Sequence, residues 1–97
     1  VIVVIDNGMY GTIRMHQENH YPARVSATDL KNPDFAALAR AYGGHGERVE
    51  TTEQFAPAFE RALASGKPAI LHCLLDPQAI SAARTIDELR AAAMQKA

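Results

Sequence analysis

The chain has no tryptophan and a single cysteine, Cys73, among its 97 residues. One thiol cannot close an internal disulfide, so no disulfide framework holds the fold, which suits a reducing compartment. Charge of one sign is lacking too: 10 Lys and Arg stand against 11 Asp and Glu, for a formal net charge of -1. That balance gives no electrostatic argument for nucleic acid or an anionic membrane surface as partner. Long apolar runs are also missing. Stretches such as Ala69-Ile70-Leu71 fall far short of the ~20 residues that cross a bilayer. No secretory leader pattern opens the sequence, and the expectation is a cytoplasmic protein. No internal repeat or low-complexity segment is visible.

Apolar residues make up 47% of the chain, enough for one small globular domain. A domain of this size buries only roughly two-thirds of its unfolded surface, so its stability margin is thin. The sequence begins without Met, directly on the β-branched run Val1-Ile2-Val3-Val4-Ile5. That start leads us to expect a piece of a longer polypeptide.

The opening stretch VIVVIDNGMYGTIR admits two incompatible readings. Asn7-Gly8 between apolar runs is a strong signal for a tight β-hairpin. Residues 1–5, however, are apolar at every position rather than at alternate ones, as in a strand covered on both faces. Gly11 would weaken a partner strand, and Arg14 to His20 is polar and not β-prone. We therefore expect a buried parallel strand at 1–5, a loop at 6–9 and a helix over roughly 10–19.

Residues 20–31 read as an irregular connection. Asn32-Pro33 then reads as a helix start, a capping side chain followed by proline at the first helical position. Phe35, Leu38, Ala39 and Tyr42 give that helix one apolar face, and Gly43-Gly44 ends it. A short strand near Glu47-Arg48-Val49 follows. Thr51 with Gln54 matches a capping box, and Phe55, Phe59 and Leu63 line one face of the next helix, which stops at Gly66. Ala69 to Leu75 reads as a second buried strand, closed by Asp76-Pro77. Thr85 with Glu88 is another capping box, and Ile86, Leu89 and Ala93 form the inner face of a last helix. The order strand–helix–helix–strand–helix–strand–helix predicts an α/β layer, a parallel sheet flanked by helices.

In open α/β sheets ligands collect at the carboxyl ends of strands, where a loop leads into a helix. Asp6, Asn7, Gly8 and Met9 occupy that place. The helix behind them offers free N–H groups and a partial positive charge, which suits a phosphate. The Asn7 amide and the loop carbonyls are hard oxygen donors that suit Mg²⁺ shared with a diphosphate. An ordinary strand-to-helix turn accounts for the same letters.

The segment VVIDNGMYGTIRMHQ resembles the second half of the thiamine diphosphate signature of the acetolactate synthase and benzoylformate decarboxylase superfamily. The stretch NPDFAALARAYGGHGERVETTEQFAPAFERALASGKPAILHCLLD resembles the rest of that superfamily's C-terminal cofactor-binding domain. The resemblance implies a partial thiamine diphosphate-binding module over residues 1–97. It implies an enzyme that acts on 2-oxo acids with thiamine diphosphate and Mg²⁺, by acetolactate synthase-like carboligation or by decarboxylation. Asn7 matches the side-chain ligand of Mg²⁺ and Met9 the position whose carbonyl is another ligand. Tyr10 and Gly11 match the loop beside the diphosphate. Asp6 stands where the superfamily has an Asn and is not assigned to the metal. Ile13 stands where pyruvate decarboxylase-like members carry a Glu, which disfavours that subfamily. The Gly-Asp-Gly half of the signature and the activating Glu do not occur in this chain. The partners implied are therefore the remainder of the same enzyme, a second subunit in a homodimer or homotetramer, and a small 2-oxo acid. The isolated chain is expected to be inactive, and no catalytic side chain is assigned.

Other chemistry-bearing residues have plainer readings. His16 and His20 share a helical face at a spacing that can bind zinc, but no third ligand is evident and an exposed helical face explains them better. In the superfamily this helix borders the mouth of the active site, which makes His16 and Gln17 candidate substrate contacts. Gly43-Gly44-His45-Gly46 lacks the Lys-Ser/Thr of a P-loop and suits a helix end. His72 and Cys73 lie in a buried strand as core or interface residues. The competing functional class is a stand-alone α/β binding or interaction module in which Asn7-Gly8 is only a turn.

Overall fold

The computed structural model describes residues 1–96. Its elements run β1 (Ile2–Asp6), α1 (Gly11–His20), α2 (Phe35–Ala41), β2 (His45–Val49), α3 (Thr52–Ala64), β3 (Ala69–Leu74) and α4 (Ile86–Lys96). This is the order expected from the sequence, and the class is α/β. The chain forms two compact units. One holds Val1–Asp6 with Asn32–Leu75; the other holds Asn7–Lys31 and the residues from Asp76 on.

The first unit is built on a three-stranded sheet in the order β1-β3-β2, with both pairings parallel. Strand β3 takes the centre because its AILHCL run can be buried on both faces, and four of its six residues are. The core gathers Val49, Ala58, Ala62, Ala69, Leu71 and Cys73, with Phe59 packed against it. β1 is parallel, as expected, but it is not buried. It is an outer strand, and Ile2, Val3 and Ile5 are exposed, Ile5 at 62%. A continuous apolar run records that both faces need covering; among the described residues Val4 is half-buried, while Val3 and Ile5 on the opposite face stay exposed.

Two helix starts illustrate how caps compete. Asn32 does not cap α2. Its Nδ2 donates to Asp6 Oδ1 at 2.7 Å, and Asp34 takes the cap, accepting from the Ala37 N–H at 3.0 Å. An ionised cap is favoured at the positive end of a helix, so Pro33 stays in the connection and α2 begins at Phe35. At α3 the expected box forms in part, with Gln54 Oε1 accepting from the Glu50 and Thr51 N–H groups. That helix continues through Pro57.

The buried faces of α2 and α3 are not the expected ones. Ala36 and Ala39 are buried in α2, while Leu38 is exposed and Tyr42 is 87% exposed. Ala58 and Ala62 are buried in α3, Phe59 is half-buried, and Leu63 is exposed. Small side chains let a helix lie closer to a sheet than large ones do, which burial by residue size alone does not anticipate.

The second unit pairs α1 with α4. The Thr85–Glu88 box forms as expected, with the Glu88 N–H on Thr85 Oγ1 at 3.1 Å and the Thr85 N–H on Glu88 Oε1 at 3.4 Å. Ile86 is buried and Leu89 and Ala93 are half-buried. The contact between the helices turns on Glu18, whose side chain is fully buried. Arg90 Nε donates to both of its carboxylate oxygens at 3.1 and 3.0 Å. Arg14 lies 3.5 Å away and the Ala23 N–H donates at 3.0 Å. Ala23 holds a left-handed φ of 61° to deliver that N–H. No helix among the described residues is long and apolar enough to cross a membrane.

The hydrogen bonds from Arg90, ahead of those from Ala23, hold the Glu18 carboxyl below its ordinary value of 4.5, against the opposing effect of burial. A depressed carboxylate contributes stability that is complete above the unfolded pKa and is lost as pH falls through the folded one. Glu18→Gln is therefore expected to cost about 2–3 kcal/mol near neutral pH, since Arg90 can partly rehydrate. The gap between variant and wild type should close below about pH 4. Denaturant titrations of both proteins between pH 3 and 7 measure it, and a pH-independent gap would remove Glu18 from the account.

Candidate functional site

The candidate site lies where the chain passes from β1 into α1. A hairpin at Asn7-Gly8 is ruled out, since β1 pairs with β3 in parallel register, Val4 opposite His72 and Asp6 opposite Leu74. The turn signal is nevertheless real. Asn7 Oδ1 accepts from the Met9 N–H at 3.2 Å, a side-chain turn of the kind asparagine forms readily, and Gly8 sits at φ 71°. The loop is braced by residues 28–30. The Tyr10 N–H donates to the Thr28 carbonyl and the Leu30 N–H to the Gly8 carbonyl, both at 2.8 Å, on either side of an isolated antiparallel bridge between Met9 and Asp29.

This bracing leaves specific atoms open. Met9 spends its N–H on Asn7 and buries its side chain, while no hydrogen bond among the described residues reaches its carbonyl oxygen. The Asn7 amide oxygen uses one lone pair on Met9 and keeps another. Helix α1 starts behind Tyr10 with no side-chain cap and no acidic residue in its first turn. Met9, Tyr10, Gly11, Thr12 and Ile13 line a shallow pocket of about 300 Å³ at this helix start. Gly11 leaves room for its neighbours: a Cβ there would lie 2.8 Å from Asn7 Nδ2 and 3.3 Å from Ile80 Cδ1, so those side-chain ends would have to shift. Two neutral hard oxygens beside an uncapped helix N-terminus fit a diphosphate carrying Mg²⁺. The structure thus brings Asn7, Met9 and Gly11 together, while the Tyr10 side chain is 52% exposed and joins them through its backbone.

Asp6 ends β1 and is bonded within its own unit. Its Oδ2 lies 2.7 Å from His72 Nε2 and its Oδ1 accepts from Asn32 at 2.7 Å. Both side chains of the Asp6–His72 pair are more than nine-tenths buried, at 9% and 6% exposure. The Phe35 ring meets the imidazole edge-on at 5.1 Å. Sequence reading treated the two residues separately. The register explains the pairing: Asp6 lies two positions beyond Val4, the residue opposite His72, and so shares its face of the sheet.

The remaining candidates separate. Gln17 is spent on structure, donating to the Ser26 carbonyl at 2.8 Å and accepting from Thr28 Oγ1 at 3.3 Å. His16 is exposed, and its ring stacks on His20 at 6.3 Å. Gly43 and Gly44 end α2 ahead of β2, with the Gly44 N–H on the Ala39 carbonyl at 2.8 Å. His72 and Cys73 are buried, as expected, and burial pushes the Cys73 thiol pKa up, away from the reactive thiolate.

Comparison with known proteins gives the family. Residues 1–73 match the family model for the thiamine pyrophosphate enzyme, C-terminal TPP binding domain. A probable acetolactate synthase of Mycobacterium bovis is 39% identical over 77 residues, 79% of this chain and 14% of that protein. The large subunit of acetolactate synthase isozyme 2 of Escherichia coli is 38% identical over 76 residues, 77% of this chain and 14% of its own. A 2-hydroxyacyl-CoA lyase of Arabidopsis thaliana is 32% identical over 82 residues, 79% of this chain and 14% of its own. The chain thus spans about one-seventh of the length of these relatives. Strand, Asn7 turn and helix start all lie within the matched residues, and the chain belongs to the family of thiamine pyrophosphate enzyme C-terminal TPP-binding domains.

Proposed function

We propose that this chain is the C-terminal part of a thiamine diphosphate- and Mg²⁺-dependent enzyme acting on 2-oxo acids in the cytoplasm. In this reading Asn7 Oδ1 and the Met9 carbonyl are Mg²⁺ ligands, and the backbone of Tyr10 and Gly11 lies against the diphosphate. The observation that carries it is the Asn7–Met9 turn, which uses the Met9 N–H and leaves the Met9 carbonyl open at an uncapped helix start. When bound, the cofactor supplies the nucleophile and the electron sink for chemistry at the 2-oxo carbon. The chain's own share is to bind and orient: Asn7 and Met9 offer oxygens, and α1 offers positive charge from its first turn. Ile13, exposed at the pocket, has no proton to give, which favours acetolactate synthase-like carboligation, or decarboxylation with the proton supplied from elsewhere. Both outer strands of the sheet have a free edge among the described residues, and the exposed apolar face of β1 fits the remainder of the enzyme. A second subunit completes the site in this reading, and the isolated chain turns over no 2-oxo acid.

The ligand assignment is tested in the full-length enzyme. Asn7→Ala removes one ligand from an ion that demands near-octahedral coordination, although water can replace it. Cofactor affinity should fall roughly ten- to a hundredfold, with activity largely recovered at excess thiamine diphosphate and Mg²⁺. Asn7→Leu should be worse because it blocks the replacement water. A wild-type dissociation constant for Asn7→Ala would end the assignment and leave Asn7 as a turn residue.

Gly11→Ala separates affinity from stability. Alanine in place of glycine favours the helix by up to about 1 kcal/mol, but its Cβ displaces the flexible ends of Asn7 and Ile80. The apo melting temperature should stay within a few degrees of wild type while cofactor affinity drops several-fold. Equal losses in both would show that Gly11 matters only for packing.

For the isolated chain, an outer strand with exposed apolar side chains seeks a partner. Light scattering of the purified 97-residue chain at rising concentration should report association. A folded, monodisperse monomer throughout would count against the proposed covering of β1.

A further inference from the structure

We propose that the second unit carries a binding site of its own, a cleft beside α1 and α4 that takes a phosphorylated small molecule. The cleft has a volume of about 540 Å³, and His16, Asn19 and His20 of α1 line it together with Arg84 and with Lys96 of α4. Space of this order holds a small organic ligand, so a bound phosphate leaves room for the group that carries it. Ala92 and Ala93, both half-buried, add an apolar stretch to the wall. None of these lining residues is acidic. The acids of the two helices are engaged otherwise: Glu18 holds Arg90 and Arg14, Asp87 accepts from Gln78, and Glu88 accepts from the Thr85 N–H. Among the described residues neither Arg84 nor Lys96 enters an ion pair.

The chemistry of the lining sets the ligand. Lysine and arginine only donate, asparagine offers an NH₂, and a histidine ring offers one N–H when neutral and two when charged. A group rich in acceptors and negative charge matches such a set, and a phosphate has more oxygens for these donors than a carboxylate has. Arg84 provides the planar fork that meets phosphate through two hydrogen bonds, and Lys96 provides a point charge. His16 and His20 hold near-parallel rings 6.3 Å apart on one face of α1. Helix ends account for part of the cluster. His20 and Lys96 lie in the last turns of α1 and α4, where a cation complements the partial negative charge of the free carbonyls. Arg84 has no such reason to be there. It stands two residues before α4 begins at Ile86, at the positive end of that helix, where a cation is disfavoured. No carboxylate among the described residues compensates it, and an anion brought from outside would.

This site does not rest on the thiamine diphosphate reading, and its test keeps the two apart. Phenyl phosphate is titrated into the full-length protein and followed by ligand-observed NMR, with thiamine diphosphate and Mg²⁺ held at saturation so that the cofactor loop is not open to the probe. Phthalate, a dicarboxylate of the same charge, and benzyl alcohol, which is uncharged, are titrated in parallel. Arg84→Gln and Lys96→Gln should each weaken phenyl phosphate binding about three- to fivefold, and the double variant should lose more than either. Both side chains are exposed, so melting temperatures should stay near wild type. Arg24→Gln, outside the cleft, should bind the probe as wild type does. Wild-type affinity in both Arg84→Gln and Lys96→Gln would overturn the proposal, and so would a wild-type protein that does not bind phenyl phosphate. Phthalate bound as tightly as phenyl phosphate would overturn the choice of phosphate. Benzyl alcohol bound as tightly would reduce the cleft to an apolar contact and overturn the site. A protein that binds phenyl phosphate through Arg84 and Lys96 but does not bind thiamine diphosphate would keep this site and lose the cofactor reading.

Discussion

Parallel pairing is the constraint from which the rest follows. Two parallel strands cannot be joined by a tight turn, because the chain must return to the end from which it started. Once β1 pairs in parallel with β3, the residues after Asp6 are released from any duty to close a sheet. They form a loop whose polar groups must be satisfied locally, and the Asn7 side chain and residues 28–30 do that. The same letters, Asn-Gly between apolar stretches, would have closed a hairpin had β1 been antiparallel. What makes them a strand-to-helix loop and not a hairpin turn is the sheet they leave.

Each unit contains one buried carboxylate, and the two are handled differently. Glu18 is met by a guanidinium that remains one-third exposed, so the charge pair reaches water through Arg90 and can be held in the ionised state. Asp6 is met by an imidazole and an amide with little exposure on either side of the closest pair, and the cost of burial is answered by hydrogen bonds to both oxygens. A buried charge with one partner removed is strongly destabilising, so these carboxylates hold their neighbours more firmly than any single apolar contact in so alanine-lined a core. The large side chains that would otherwise do so, Leu38, Tyr42 and Leu63, stand at the surface.

The legible part of the sequence was local. Strand and helix order, the Thr85–Glu88 box, and the strand–loop–helix passage at Asn7 depend on residues a few positions apart, which a linear pattern records. The errors arose where a distant group decided the outcome. Asn32-Pro33 has the letters of a helix start, but Asp6 claims the Asn32 amide and Asp34 offers a charged cap two residues later. The inner faces of α2 and α3 were expected at their largest apolar residues, yet closeness to the sheet selects Ala36, Ala39, Ala58 and Ala62. The Asp6–His72 pair is invisible until the register places Val4 beside His72. For the candidate site, Asn7, Met9 and Gly11 could be singled out because they are neighbours in the chain. The contact of His72 with Asp6 could not, because the two are 66 positions apart.

The proposed ligand set has a further consequence for where charge must come from. Asn7 and Met9 contribute neutral oxygens only, and Mg²⁺ binds weakly to neutral donors unless anions complete its shell. The carboxylate that precedes them in the chain, Asp6, is hydrogen-bonded to His72 and Asn32. In the proposed reading the balancing charge therefore comes from the diphosphate and from the longer enzyme. The sheet's outer strand makes the same point in apolar terms. β1, whose carboxyl end leads into the ligand loop, is also the strand whose Ile2, Val3 and Ile5 remain uncovered. A partner that buries those side chains would cover the strand that leads into Asn7. In the proposed reading, cofactor binding then depends on groups that Asn7 and Met9 do not supply themselves.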